Sequence, residues 1–196
     1  GAKGVVVGYN YTFGHRGQGT PALLEALSHR YNFKLQVIQP VTLEGHTVSS
    51  THIRSLIIKG DVAEAAKFLG YYPFTEGEVV TGEQRGRTLG FPTANLEIDE
   101  DLLMPPNGVY SARICHDGDT YHGLANIGCK PTFHGTKRNI EVHLLDFCDD
   151  LYGKQIRVSF IRRLRGERKF ATAADLVRQI EMDINEARLE CAKTGE

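Results

Sequence analysis

Gln155-Ile156-Arg157-Val158-Ser159-Phe160-Ile161-Arg162 sets Ile156, Val158 and Phe160 at alternate positions, with Arg157 and Ser159 between them. Side chains of an extended strand point to opposite faces in turn, so this period of two predicts a strand with one buried face. Working back from it, Phe74 to Val80, Gly108 to Cys115, Thr120 to Ile127 and Ile140 to Leu145 read as further short strands. Turn signals such as His116-Asp117-Gly118-Asp119 separate them, and several short strands at this spacing suggest a small closed barrel. Beyond it, Ala173, Leu176, Val177, Ile180, Ile184 and Ala187 recur at helical spacing after Thr172, a residue suited to capping. A C-terminal helix packed on the barrel is expected.

The first third has a different texture. Gly4-Val5-Val6-Val7-Gly8 reads as a strand buried on both faces of a parallel sheet, Pro21 to His29 as a helix and Lys34 to Gln39 as a second strand, the order of an α/β unit. Ser49 or Ser50 can cap a helix bearing Ile53, Leu56 and Ile57, with Gly60 to end it. Asp61 and Glu64 have capping-box spacing for a second helix stopped by Gly70. Helical spacing gives way to short strands at Tyr71-Tyr72-Pro73, which sets the expected domains at residues 1–70 and 71–196.

Composition bounds the partners. In 196 residues, 41% hydrophobic and 24% charged residues are ordinary for a folded globular chain, and a formal net charge of −1 provides no field for an extended polyanion. Small-molecule partners are expected, without nucleic acid or membrane. Cys115, Cys129, Cys148 and Cys191 form no Cys-x-x-Cys pair, so neither a zinc site nor a disulfide framework is indicated, and a cytoplasmic setting fits.

The richest chemistry lies in Thr81-Gly82-Glu83-Gln84-Arg85-Gly86-Arg87-Thr88-Leu89-Gly90-Phe91-Pro92-Thr93-Ala94-Asn95. Glycines allow backbone N–H groups to face an anion, and Arg85 and Arg87 add positive charge, so a phosphate could be cradled here. The order is neither a Walker loop nor a dinucleotide fingerprint. On these residues alone, a surface loop with charged tips stands as an equal reading.

Gly82 with Arg85-Gly86-Arg87, followed by Gly90-Phe91-Pro92-Thr93-Ala94-Asn95, resembles the nucleotide-binding signature of the riboflavin kinase family. Gly108-Val109-Tyr110, Ala125-Asn126-Ile127-Gly128, Pro131-Thr132-Phe133, Glu141-Val142-His143-Leu144-Leu145-Asp146-Phe147, Leu151-Tyr152-Gly153 and Arg163-Leu164-Arg165 through Lys169-Phe170 follow in the family's order. The resemblance implies a small closed, Greek-key-like β-barrel with a C-terminal helix, preceded by a partial Rossmann-like α/β segment. It implies a kinase that moves the γ-phosphate of ATP to riboflavin, giving FMN and ADP with Mg²⁺ as cofactor. Gly82, Arg85, Gly86, Arg87, Thr93 and Asn95 would hold ATP, with Thr93 also on the metal. The Thr93 hydroxyl and the Asn95 amide are hard oxygen donors of the kind Mg²⁺ accepts. Glu141 matches the family's catalytic base; alternation puts it with His143 on the face opposite Ile140, Val142 and Leu144. The flavin ring would lie near the loop Leu164 to Phe170, with Arg165 and Phe170 as its candidate contacts, Phe170 being equally suited to a core position. An inactive flavin- or nucleotide-binding module is the alternative; a barrel for single-stranded nucleic acid would need a strongly basic groove.

Gly8-Tyr9-Asn10-Tyr11-Thr12-Phe13-Gly14 and Val48-Ser49-Ser50-Thr51-His52-Ile53-Arg54 resemble the later half of the adenylyltransferase domain of bacterial bifunctional FAD synthetases. The resemblance implies that Asn10, Ser49, Ser50, Thr51 and Arg54 belong to a phosphate site at a helix start. The family's His-x-Gly-His motif is absent; Gly14-His15-Arg16-Gly17 has one histidine in another place. These 196 residues are therefore not expected to make FAD, whereas an intact parent is expected to convert FMN to FAD.

Overall fold

The computed structural model describes residues 2–82, 85–99, 101–132 and 135–194, without the side chains of residues 85, 87, 130–132, 135–137 and 191–194. The chain divides into two compact units, residues 1–49 and 50–196.

In the first unit, β1 (Gly4–Gly8) and β2 (Lys34–Ile38) pair in parallel through α1 (Pro21–Tyr31). Thr20 caps α1 by accepting from the Leu23 amide at 3.3 Å, and Asn32 ends it in the left-handed region. A small hairpin, β3 (Thr42–Leu43) and β4 (His46–Thr47), follows. The reading of β1 as buried on both faces is corrected here: only Val7 is buried and Val6 is 65% exposed. Within this unit the sheet has two strands, and one helix cannot cover both of its faces.

The second unit opens with α2 (Ser50–Lys59) and α3 (Val62–Leu69), which stop at Gly60 and Gly70 as read from the sequence. The expected Asp61 capping box does not form: Asp61 makes no side-chain cap bond, and Glu64 instead pairs with Lys67 at 2.7 Å. Next come β5 (Phe74–Val80), the short α4 (Arg85–Thr88), β6 (Ala94–Glu97), β7 (Gly108–His116), β8 (Asp119–Thr132), β9 (Gly135–Leu144), β10 (Gln155–Arg165) and α5 (Ala173–Thr194). Six strands close into an antiparallel barrel in the order β10, β5, β6, β9, β8, β7. The connection from β6 to β7 skips two positions, filled by β9 and β8, so the meander β7 to β9 returns beside β6.

Alternation explains the core. Val79, Leu96, Ile114, Ile127, Ile140, Val142, Ile156, Val158 and Phe160 point inward and are almost wholly buried. Val62 of α3 joins this same core, and Gly60 lies against the Arg163 side chain. The helical pair thus packs with the barrel, and the texture change at Tyr71 to Pro73 marks the end of α3 inside one unit, 21 or more residues past the boundary between compact units at 49/50. Outside the barrel, Ala187 and Ile184 of α5 cover Val109, Leu124 and Leu164. Thr172 caps α5, its hydroxyl accepting from the Asp175 amide at 3.2 Å.

Candidate functional site

The site is built where β6 runs between β5 and β9. Asn95 pairs across the ladder with Val80 on one side and Glu141 on the other, while Glu141 also faces Asn126 on β8. Because Ala94, Leu96, Ile140 and Val142 point into the core, Asn95 and Glu141 share the outer face. Cross-strand neighbours in direct register lie about 5 Å apart at Cβ, within reach of one substrate group. The pairing of Glu141 with His143 on this face, read from alternation, holds as well. His143, though, is engaged by its neighbours: Nδ1 lies 2.8 Å from the Pro92 carbonyl, and Phe91 packs edge-on to its ring. It secures the turn that precedes Thr93.

Two glycines fit this turn closely. A Cβ on Gly82 would lie 1.9 Å from Asn95 Nδ2, and one on Gly86 would lie 2.4 Å from the Phe91 carbonyl oxygen and 3.3 Å from Thr93 Oγ1. Any side chain there would push into the amide or the hydroxyl, so both positions require glycine for close approach. Arg85 and Arg87 lie in α4, and their side chains are outside the described residues.

Thr93 faces a cavity of about 400 Å³ at the barrel mouth, lined also by Val79, Ala94, Val142, Leu144 and Phe147. The cavity opens at the ends of β5 and β9 and the start of β6. Its walls are inward side chains of those strands and, opposite them, the segment Phe147 to Tyr152 with Asp149 and Asp150, whereas Glu141 is on the outer surface of the strands. Thr93, two residues before Asn95, is the link between the inside of the mouth and the outside of the sheet.

Asn139, which sequence reading passed over, completes the outer face. Its Nδ2 donates to Glu141 Oε1 at 3.0 Å and reaches Asn95 Oδ1 at 3.4 Å. The i, i+2 spacing from Glu141 was the available signal, since it puts both residues on one face of β9.

The two candidate flavin contacts come together, held by the fold. Arg165 donates to Asp183 of α5 from Nε at 3.1 and 3.0 Å and from Nη2 at 2.8 Å, and its guanidinium lies 5.7 Å from the Phe170 ring centre. Gln179 also donates to Asp183, at 2.9 Å. Both partners of the ion pair are nearly buried, so Arg165 has a structural task in joining β10 to α5. Phe170 is half-buried. Nearby, Asn107 donates to Glu167 at 3.0 Å, tying the loop after β10 to the start of β7. Asn10 and Ser49 belong to the first unit, while Ser50, Thr51 and Arg54 lie in the opening turns of α2.

A closed six-stranded barrel thus gathers a carboxylate, two amides and a threonine around a glycine-lined turn. The riboflavin kinase family model matches residues 69–190, and an FAD synthetase family model matches residues 1–52. The chain belongs to the riboflavin kinase family. It is 37% identical over 190 residues to the bifunctional riboflavin kinase/FMN adenylyltransferase of Listeria monocytogenes, covering 96% of this chain and 60% of that protein. The protein of the same name from Escherichia coli K12 is 36% identical over 187 residues, covering 95% and 59%. Among solved structures, that of a macrolide-efflux protein from Streptococcus pneumoniae superposes with TM-score 0.87 at 36% identity, over 95% of this chain and 60% of that one. The chain thus spans about 60% of the length of the curated relatives it matches. No helix among the described residues is long and apolar enough to cross a membrane.

Proposed function

We propose that the barrel unit is a riboflavin kinase, transferring the γ-phosphoryl group of ATP to the ribityl hydroxyl of riboflavin. The observation that carries this reading is the direct cross-strand pairing of Asn95 with Glu141, with Thr93 at the rim of the mouth cavity two residues away. The cavity, apolar on its strand side, suits the adenosine part of ATP, leaving the phosphates to run out over Thr93 and the glycine turn. The riboflavin hydroxyl approaches on the outer face, where Glu141 accepts its proton as the oxygen attacks phosphorus and the bond to ADP breaks.

Thr93 Oγ1 and Asn95 Oδ1 are neutral, hard oxygen donors, and Gly86 and Gly82 let the backbone of the turn approach both closely. Such a donor set fits Mg²⁺, which keeps waters and phosphate oxygens as its remaining ligands. Bound there with ATP, the ion would draw off negative charge from the transferring phosphoryl group. Arg85 and Arg87 are proposed to add charge to the same turn, and Arg165 and Phe170 to border the flavin ring through the loop they brace.

Residues 1–52 are proposed to serve FMN adenylylation in the protein whose adenylyltransferase domain is whole, with Asn10, Ser49, Ser50, Thr51 and Arg54 on the phosphate side of that site. Cys115, Cys129 and Cys148 are free thiols, which supports a reducing, ATP-rich cytoplasm as the place of reaction. The test is incubation of the purified chain with riboflavin, ATP and Mg²⁺ followed by chromatography. FMN is the expected product, and its absence would overturn the kinase reading in favour of a binding module. Glu141→Gln should lower kcat by roughly a hundredfold or more while ATP still binds.

A further inference from the structure

We propose that Asn139 is the positioning residue of this site: its side-chain amide holds the Glu141 carboxylate and the Asn95 amide in one fixed relation. The proposal rests on the kinase reading above and adds a residue to it. Three features of the outer face support it. Asn139 and Glu141 are two residues apart on β9, so they project side by side. One nitrogen, Asn139 Nδ2, lies within reach of both Glu141 Oε1 at 3.0 Å and Asn95 Oδ1 at 3.4 Å. An amide nitrogen carries two hydrogens in a plane, enough to serve two acceptors at once.

The chemical consequence follows from the roles already assigned. Glu141 must aim one oxygen at a hydroxyl while Asn95, on the neighbouring strand, faces the phosphate side. A carboxylate on a flexible three-bond stem samples many orientations in water. A donor that holds one of its oxygens restricts the group to one plane, and the same donor sets the turn of the Asn95 amide. Misplacement by about 1 Å can cost roughly a hundredfold in rate. Asn139 touches neither reacting atom; it acts through the two groups that do.

The experiment compares Asn139→Asp and Asn139→Ala with the wild-type chain, measuring FMN formation under saturating and limiting ATP and riboflavin. Asp has the shape of Asn but, ionised, cannot donate. Both variants should lose roughly tenfold to a hundredfold in kcat, with KM for each substrate changed by less than about twofold and an unaltered melting temperature. In a Glu141→Gln background, Asn139→Ala should cost clearly less than in the wild type, because one of the two groups it positions is already lost and only its hold on Asn95 remains. If Asn139→Ala fails to fold, Asn139→Ser replaces it. Wild-type turnover by Asn139→Asp, or an undiminished cost of the second change in the Glu141→Gln background, would overturn the proposal while leaving the kinase standing. Lack of FMN from the wild-type chain would instead strike the kinase reading itself.

Discussion

At the scale of single residues, the glycine turn is the most sensitive part of the site. Gly82→Ala would drive a methyl group into the Asn95 amide, which is 5% exposed and has nowhere to retreat. FMN formation should fall by roughly tenfold or more while far-ultraviolet circular dichroism stays that of the wild type. Tyr110 gives a pH prediction. Burial pushes its phenol above the ordinary value of 10.0, against the lowering effect of Arg163 and Arg138, and its hydroxyl donates to the Pro106 carbonyl at 2.6 Å. The folded state therefore keeps a proton that the unfolded chain releases near pH 10.0, so this contribution is whole below that pH and is lost as pH rises through the folded value. Urea melts between pH 9 and 11 should show the loss in the wild type and a smaller one in Tyr110→Phe, which itself should cost about 1 kcal/mol at neutral pH. Residues of this kind were unevenly legible. Glu141 could be put on the outer face from alternation alone, because Ile140, Val142 and Leu144 left it no other side. The ion pair of Arg165 with Asp183 could not, since its partners are 18 positions apart and meet only after α5 docks.

At the scale of elements, α5 is fastened by charge as much as by its apolar stripe. Arg162 pairs with Glu186 and, at 2.7 Å, with Glu190, and Arg165 grips the buried Asp183. Removing one partner of a buried pair leaves the other charge without compensation, at a cost of about 3–5 kcal/mol. Arg165→Ala should accordingly unfold at lower denaturant by about that amount, and hydrogen exchange should show α5 opening ahead of the barrel. Replacing Arg165 and Asp183 together by Met and Leu should restore much of the loss. The periodicity of α5 was plain in the sequence, but a stripe of alanine, leucine and isoleucine says nothing about a buried aspartate in its midst. The four-residue strand β6 was invisible for another reason. It follows Pro92 in a glycine-rich stretch, and only its pairing with β5 and β9 makes Ala94 to Glu97 extended. Local preference was overridden by neighbours supplied from elsewhere in the chain.

At the scale of the molecule, the packing of α2 and α3 decides what counts as the kinase unit. Val62, Ala65 and Phe68 are buried, and Val62 belongs to the barrel core. A polypeptide of residues 50–196 should keep the stability of the barrel. One of residues 71–196 lacks Val62 and Phe68 and should lose roughly 4 kcal/mol, at about 2 kcal/mol for the burial of each of these two side chains, as read by thermal melting. The break at Tyr71 to Pro73 was legible as a change of texture, but texture reports local periodicity, and membership of a core is settled by contacts distant in sequence. The mouth cavity and the outer carboxylate have a kinetic meaning of their own. Two reactants that enter from opposite surfaces of one strand pair never compete for a doorway, so either can arrive first and neither must depart before the other comes. Initial-rate lines drawn at several fixed concentrations of one reactant should therefore intersect, as any three-body assembly requires, and inhibition by each product should follow the pattern of one whose order of gathering is free.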